Sequence, residues 1–193
     1  MKSNQMNFLR NTRGAAAIEM ALVFPLMVFM YFGLVDLTGL VSLNRKVTYA
    51  SDVMADLVTR SNTSILKTEI DDYYNAINMV MAPRAISSVR VEVFGFRIAG
   101  ANISQIWSTN NGQGVSCGLA PSTGSMAGLM TVSNDLVVTR VCTTYAPYVA
   151  SFLGTKLLGA TTFTVKKVVS RRPRASLQLT CYQTTVAAGT VCS

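Results

Sequence analysis

An apolar run near the N-terminus constrains the fold of this chain more than any other feature. Residues 20–35 carry no charge, and apolar residues extend the run to residues 15–18 before it and 37–43 after it. With one acid at each margin, Glu19 and Asp36, the run reaches the roughly 20 residues that cross a bilayer as a helix. We therefore predict a transmembrane helix.

The leader before this run is basic. Residues 1–14 carry three basic side chains and no acid, so the positive-inside rule predicts a cytoplasmic N-terminus and an exoplasmic remainder. A cleaved secretory signal, a plain uncleaved anchor and a buried core helix remain as alternatives. The run continues into residues 42–46 without the small-residue cleavage pattern of a secretory signal. No cysteine precedes Cys117, which excludes a lipid-modified cysteine after the run.

A carboxylate close to the start of the run argues against a plain anchor. Glu19 is the fifth residue after Gly14, at a depth where an ionised group costs a few kcal/mol or more and usually has a partner or a function. A short basic leader, a glycine, small residues, this glutamate and a long apolar helix are together similar to the class III signal of type IV pilins and pseudopilins. Within that group, RGAAAIEMALVFPLMVFMYFGLVDL closely resembles the start of TadE-like proteins of the tight adherence (Tad) pilus system.

This resemblance implies cleavage by a prepilin peptidase between Gly14 and Ala15. It also implies an alignment role for Glu19, which in the family pairs with the free N-terminal amine of a neighbouring subunit, here that of Ala15. Two opposite charges that must both be buried cost less together than apart. Major pilins of this system carry tyrosine after the glutamate, whereas this chain has Met20, and it is much longer than their very small major subunit. Both differences favour a minor pilin or pseudopilin.

The partners that the resemblance implies are the prepilin peptidase, other pilins or pseudopilins of the Tad pilus, and the membrane. The implied location is the bacterial inner membrane, as a single-pass protein with a periplasmic head that can enter a pilus. Residues 162–174 also resemble, loosely, the closing strand and arginine of TadE-like proteins.

The apolar periodicity predicts helices first. Helical spacing continues from the apolar run and predicts one long helix over residues 15–59 that contains Pro25 and leaves the membrane near Ser42. A second amphipathic helix is predicted over residues 65–81, stopped by Pro83 and carrying its acids on a solvated face.

Beyond Pro83 the period changes to two, which is typical of strands. Strands are predicted at residues 86–98, 103–108, 136–145 and 163–169, with an exposed glycine- and serine-rich loop at 116–128 and a short helix at 151–158. Helices followed by antiparallel strands predict an α+β fold. The expected organisation is a leader at 1–14, a transmembrane and extended helix at 15–60 and a periplasmic head at 61–193.

Four cysteines all follow the predicted membrane helix. An even number on the exoplasmic side predicts two disulfides, and the spacing lacks the CxxC-like pairs of a structural zinc site. Three connectivities are open. The pairing Cys117–Cys142 with Cys181–Cys192 is preferred because it joins neighbours in sequence.

Catalytic and cofactor chemistry finds little support. The chain has no histidine, which excludes Ser-His-Asp and Cys-His catalysis and HExxH zinc sites, and it has no phosphate-binding glycine loop or nucleophile elbow.

After Asp135 all seven charged residues are basic, but topology and the lack of interleaved aromatic residues argue against nucleic acid. A solvated basic face and a subunit contact both stay open there. We expect that the chain is not an enzyme and that it binds no cofactor, metal or small-molecule substrate. The alternatives are an uncleaved bitopic periplasmic adaptor and a membrane-anchored enzyme.

Overall fold

The computed structural model describes residues 14–84, 86–99, 102–130, 134–153, 162–175, 177–184 and 190–192. In these residues a long N-terminal helix precedes a small antiparallel sheet with further helices, so the predicted α+β class is confirmed. The described residues form two compact units. One combines residues from 14–41 and 146–153, and the other combines residues from 42–145 and 162–192.

Helix α1 spans Ala15–Arg60, which confirms the long helix predicted over residues 15–59. It is the one helix among the described residues that is long and apolar enough to cross a membrane, and none of its most apolar 18-residue window is buried. Pro25 lies inside it. Membrane helices tolerate such a proline because neighbouring groups can satisfy the freed carbonyl.

The last turns of α1 change character and form part of the core of the second unit. Val47, Ala50, Met54 and Val58 recur every three or four residues and are fully buried. The buried Ser51 hydroxyl donates to the carbonyl of Val47, four residues earlier, which satisfies it within the helix.

Helix α2 is shorter than predicted. It spans Lys67–Met81, and residues 64–66 before it form strand β1 (Ser64–Leu66) instead of its first turn. The prediction of helix at residue 65 was wrong because β1 pairs in parallel with β6 (Thr180–Tyr182), a partner from the far end of the chain. The end of α2 two residues before Pro83 agrees with the predicted stop.

Four longer strands form one antiparallel sheet in the order β3-β2-β4-β5. They are β2 (Val89–Ala99), β3 (Asn102–Asn110), β4 (Leu136–Tyr145) and β5 (Phe163–Arg171), close to the four predicted strands. The short helix between β4 and β5 is α3, which spans Tyr148–Leu153. It was predicted at 151–158, of which 154–158 lie outside the described residues.

Both faces of the central strands are covered. One face packs with α1 and α2 in the main core, which includes Trp107 and Val141. The other face is covered by a 3-10 helix at Thr123–Leu129, where Met126 packs with Phe94 and Phe96. The prediction of an exposed loop at 116–128 was therefore wrong for Met126 and Cys117, which are buried. The glycine- and serine-rich composition of this segment gave no indication that the side chains of Met126 and Cys117 are buried in the core.

Candidate functional site

The predicted cleavage junction coincides with the start of α1. Gly14 is exposed, and the helix begins at Ala15. A Cβ atom added at Gly14 would meet no other atom within 4 Å, so packing in this chain gives no reason for a glycine at that position.

The carboxylate of Glu19 follows Ala15 by four residues, slightly more than one helical turn. Its side chain is exposed, and it forms none of the salt bridges found among the described residues. Of the sequence-predicted residues, Ala15 and Glu19 thus lie on the first turns of α1, and Gly14 directly precedes it. The four cysteines lie elsewhere, in the second unit.

The surface of α1 around Glu19 is apolar and unpartnered over several turns. Leu22 is 77% exposed, and twelve further large apolar side chains from residue 18 to residue 35 are also exposed. Soluble monomers rarely expose such a contiguous apolar surface, whereas a helix in lipid or in a helical bundle requires it. This part of α1 therefore needs a membrane or other helices around it.

Asp36, the acid at the far margin of the apolar run, has partners within its own unit. The residue is 9% exposed, and its carboxylate accepts hydrogen bonds from the backbone N–H groups of Tyr148 and Val149, both at 2.8 Å. These are the first two residues of α3, whose N-terminal N–H groups have no partner within that helix. Asp36 therefore caps α3.

Arginines from the C-terminal region pair with acids on the last turns of α1. The guanidinium of Arg174 donates to Asp56, and that of Arg171 lies 3.4 Å from Asp52. Desolvation of the Asp56 carboxyl raises its pKa, but the hydrogen bond from Arg60 and the charges of Arg174, Arg60 and Arg171 outweigh it and lower the pKa below its ordinary value. The basic region after Asp135 is thus in part an internal ion-pair partner of α1, a role that sequence analysis did not consider.

A second charge cluster lies on the outer face of the sheet. Arg140 and Glu92 stand opposite each other on β4 and β2, are 5% and 6% exposed, and form an ion pair. The Arg140 guanidinium also donates to the carbonyl oxygens of Leu119 at 2.6 Å and Gly118 at 3.2 Å. The cluster therefore fixes the segment that follows Cys117 onto the sheet.

Two disulfides hold the head together. Cys117 pairs with Cys142 and Cys181 with Cys192, with Cα–Cα distances of 5.7 and 5.4 Å. This is the pairing preferred from sequence neighbourhood. The second bridge belongs to the same core cluster as Trp107, whose indole N–H donates to the carbonyl of Leu179 at 2.8 Å.

The comparison with known families agrees with this geometry at the N-terminus. Residues 14–56 match the family model described as TadE-like protein, so the TadE-like resemblance is confirmed over these residues. The matched stretch begins at Gly14, includes Glu19 and Asp36, and ends at Asp56. No curated protein and no solved structure is significantly similar to the chain.

Proposed function

We propose that the chain is a minor pilin or pseudopilin of a Tad-type pilus, processed between Gly14 and Ala15 and assembled through the apolar surface of α1. The observation that carries the proposal is the TadE-like match, which begins at Gly14 and covers nearly all of α1. Its action is binding and assembly rather than catalysis. The proposed location is the inner membrane, with a cytoplasmic N-terminus and the head in the periplasm.

The local structure around the junction supports processing. Gly14 is exposed, and open space surrounds it, so its glycine is better explained by recognition in a peptidase than by folding. Helix formation from Ala15 onward means that cleavage there would leave the helix with a free amine at its first residue.

Glu19 supports the assembly role. Its carboxylate is exposed on an otherwise apolar surface and takes no salt bridge among the described residues. A helix of this kind buried in a bundle would leave the charge uncompensated unless a neighbour supplied a cation. The Ala15 amine of an adjacent subunit is the proposed cation.

The disulfides support a periplasmic head. Such bridges persist in the bacterial periplasm and are rare in the cytosol. Both bridges lie in the unit formed by residues 42–145 and 162–192.

Two substitutions in cells that carry the complete pilus system test the proposal. Gly14→Val fits the open space around this residue, so it should leave the head folded but abolish processing, seen as a larger species on an immunoblot. Glu19→Ala should be processed normally and yet fail to support assembly, measured as pilus protein in the sheared cell-surface fraction. Asp72→Ala, at an exposed acid on α2, is the matched control and should change neither readout.

The alternative function is an uncleaved bitopic adaptor in the same membrane. It predicts one full-length species in every strain and normal assembly with Glu19→Ala. That outcome would overturn the pilin proposal.

A further inference from the structure

The contact between Asp36 and α3 lies within the apolar run of α1, not beyond it. Leu37, Leu40 and Val41 follow Asp36 and are still exposed apolar residues. At 1.5 Å per residue, Val41 lies about 7.5 Å farther along the axis than Asp36. If the run crosses a bilayer, the start of α3 therefore lies at the same depth in the bilayer as part of the apolar run.

A cavity extends this contact further along the run. Its volume is about 600 Å³, and its lining is apolar: Phe24, Pro25, Val28, Phe29 and Phe32 from α1, with Tyr148 and Val149 from α3. Phe24 precedes Asp36 by twelve residues, about 18 Å along the helix axis. Thus α3 and α1 together form an apolar groove beside the middle of the run.

The segment that enters this region is itself apolar. Residues 146–153 read APYVASFL and carry no charge. Tyr148 remains 67% exposed although its backbone is bonded to Asp36. Tyrosine with an exposed ring next to an apolar helix is common where proteins meet the lipid interface.

Asp36 makes this placement compatible with lipid. A backbone N–H group without a partner is costly in hydrocarbon, and so is an ionised carboxylate. The two hydrogen bonds reduce both costs, because the N–H groups of Tyr148 and Val149 gain an acceptor and the Asp36 carboxylate gains two donors. A second protein chain is not required to compensate either of them.

We infer that residues 146–153 form a second membrane-contacting segment, which enters the leaflet that holds Asp36 and packs with lipid acyl chains along the groove. Lipid is the occupant because the groove is continuous with the exposed surface of the membrane-spanning helix and because the Asp36 carboxylate beside it already accepts two hydrogen bonds inside the chain. The inference requires that α1 spans the membrane. It does not depend on cleavage at Gly14 or on pilus assembly.

Spin labelling of the full-length protein in liposomes of phosphatidylethanolamine and phosphatidylglycerol tests the inference. All four cysteines are in disulfides, so a single added cysteine can be labelled with a nitroxide. A label at Tyr148→Cys should be accessible to oxygen and protected from a water-soluble nickel chelate. Met30→Cys, within the apolar run, gives the lipid reference, and Leu119→Cys, 94% exposed in the head, gives the aqueous reference.

The outcomes separate clearly. Accessibility like that of the Met30 label supports the inference. Accessibility like that of the Leu119 label overturns it, because the segment then lies in water. Protection from both reagents also overturns it, because protein rather than lipid then covers the segment.

A second set of variants tests whether Asp36 acts as a tether that holds the start of α3 beside α1. With the label at residue 148, Asp36→Ala should shift accessibility at least severalfold toward the nickel chelate, because two N–H groups lose their acceptor. Asp36→Asn retains an acceptor oxygen and should keep most of the lipid signature, and Asp72→Ala should keep all of it. An unchanged signature in Asp36→Ala would overturn the assignment of Asp36 as the tether.

Discussion

Replacing Gly95 with alanine should destabilise the head far more than the same substitution at the other described head glycines with ordinary backbone angles. A Cβ atom at Gly95 would overlap the indole of Trp107, and even the third-nearest atom, Cδ1, would lie only 2.7 Å away. The ring cannot easily move away, because it is 2% exposed and its N–H is bonded to the carbonyl of Leu179 at 2.8 Å.

The magnitude follows from these contacts. Overpacking a core costs about 1–3 kcal/mol. Loss of the indole hydrogen bond adds about 1 kcal/mol, while the reduced chain entropy of alanine relative to glycine returns about 0.5–1 kcal/mol. The expected loss in the free energy of unfolding of Gly95→Ala is therefore about 1–3.5 kcal/mol.

Urea unfolding of the full-length protein in detergent measures this loss. Trp107 is the only tryptophan, so its fluorescence reports unfolding around this contact directly. Gly124→Ala is the matched control, since its added Cβ meets no atom within 4 Å and its cost should stay within about 0.5 kcal/mol. A Gly95→Ala protein with the midpoint and emission maximum of the parent would refute the reasoning.

Two further predictions concern the charge clusters. Arg140→Ala leaves Arg90 as the remaining cation beside the buried Glu92 carboxylate, so it should lower the free energy of unfolding by at most about 3–5 kcal/mol, the cost of a buried charge with no compensation. Arg174→Ala, at an exposed pair with Asp56, should shift the urea midpoint much less than Arg140→Ala, and equal shifts would contradict the assigned burial. Because the folded state lowers the pKa of Asp56, its contribution to stability is present above the unfolded pKa and is lost as pH falls through the folded one. The stability difference between the parent and Asp56→Asn should therefore shrink as the pH falls through and below the ordinary aspartate pKa, and a difference that grew with acid would contradict the sign.

The local periodicity of apolar residues was enough to predict most of the helices and strands. An apolar run followed by helical spacing predicted α1 to within one residue at its end, and β4 was predicted at its observed bounds, because each pattern persists over many residues. These elements bury side chains at regular intervals, so the pattern is visible without knowledge of their partners.

Long-range pairing could not be predicted in the same way. Residues 64–66 look like the start of α2, but their partner β6 lies more than one hundred residues later. Likewise, Asp36 was visible as an acid in an apolar run, yet its partners at the start of α3 lie 112 and 113 residues away. Nothing in the local pattern names such partners.

The residues of the candidate site show the same difference between local patterns and long-range contacts. Gly14, Ala15 and Glu19 could be proposed from sequence because the resemblance to a class III signal rests on a short linear motif. The arginine contacts to α1 could only have been suspected, from an excess of basic residues at the C-terminal end and two acids, Asp52 and Asp56, on the helix.

The intact mass and N-terminal sequence of the protein from native membranes, with and without reductant, test directly whether the chain is a processed pilin. A processed chain begins at Ala15 and gains the mass of four hydrogens on reduction, as two disulfides require. A chain from a strain with an active prepilin peptidase that still begins at Met1 would contradict the pilin proposal and leave a plain membrane anchor.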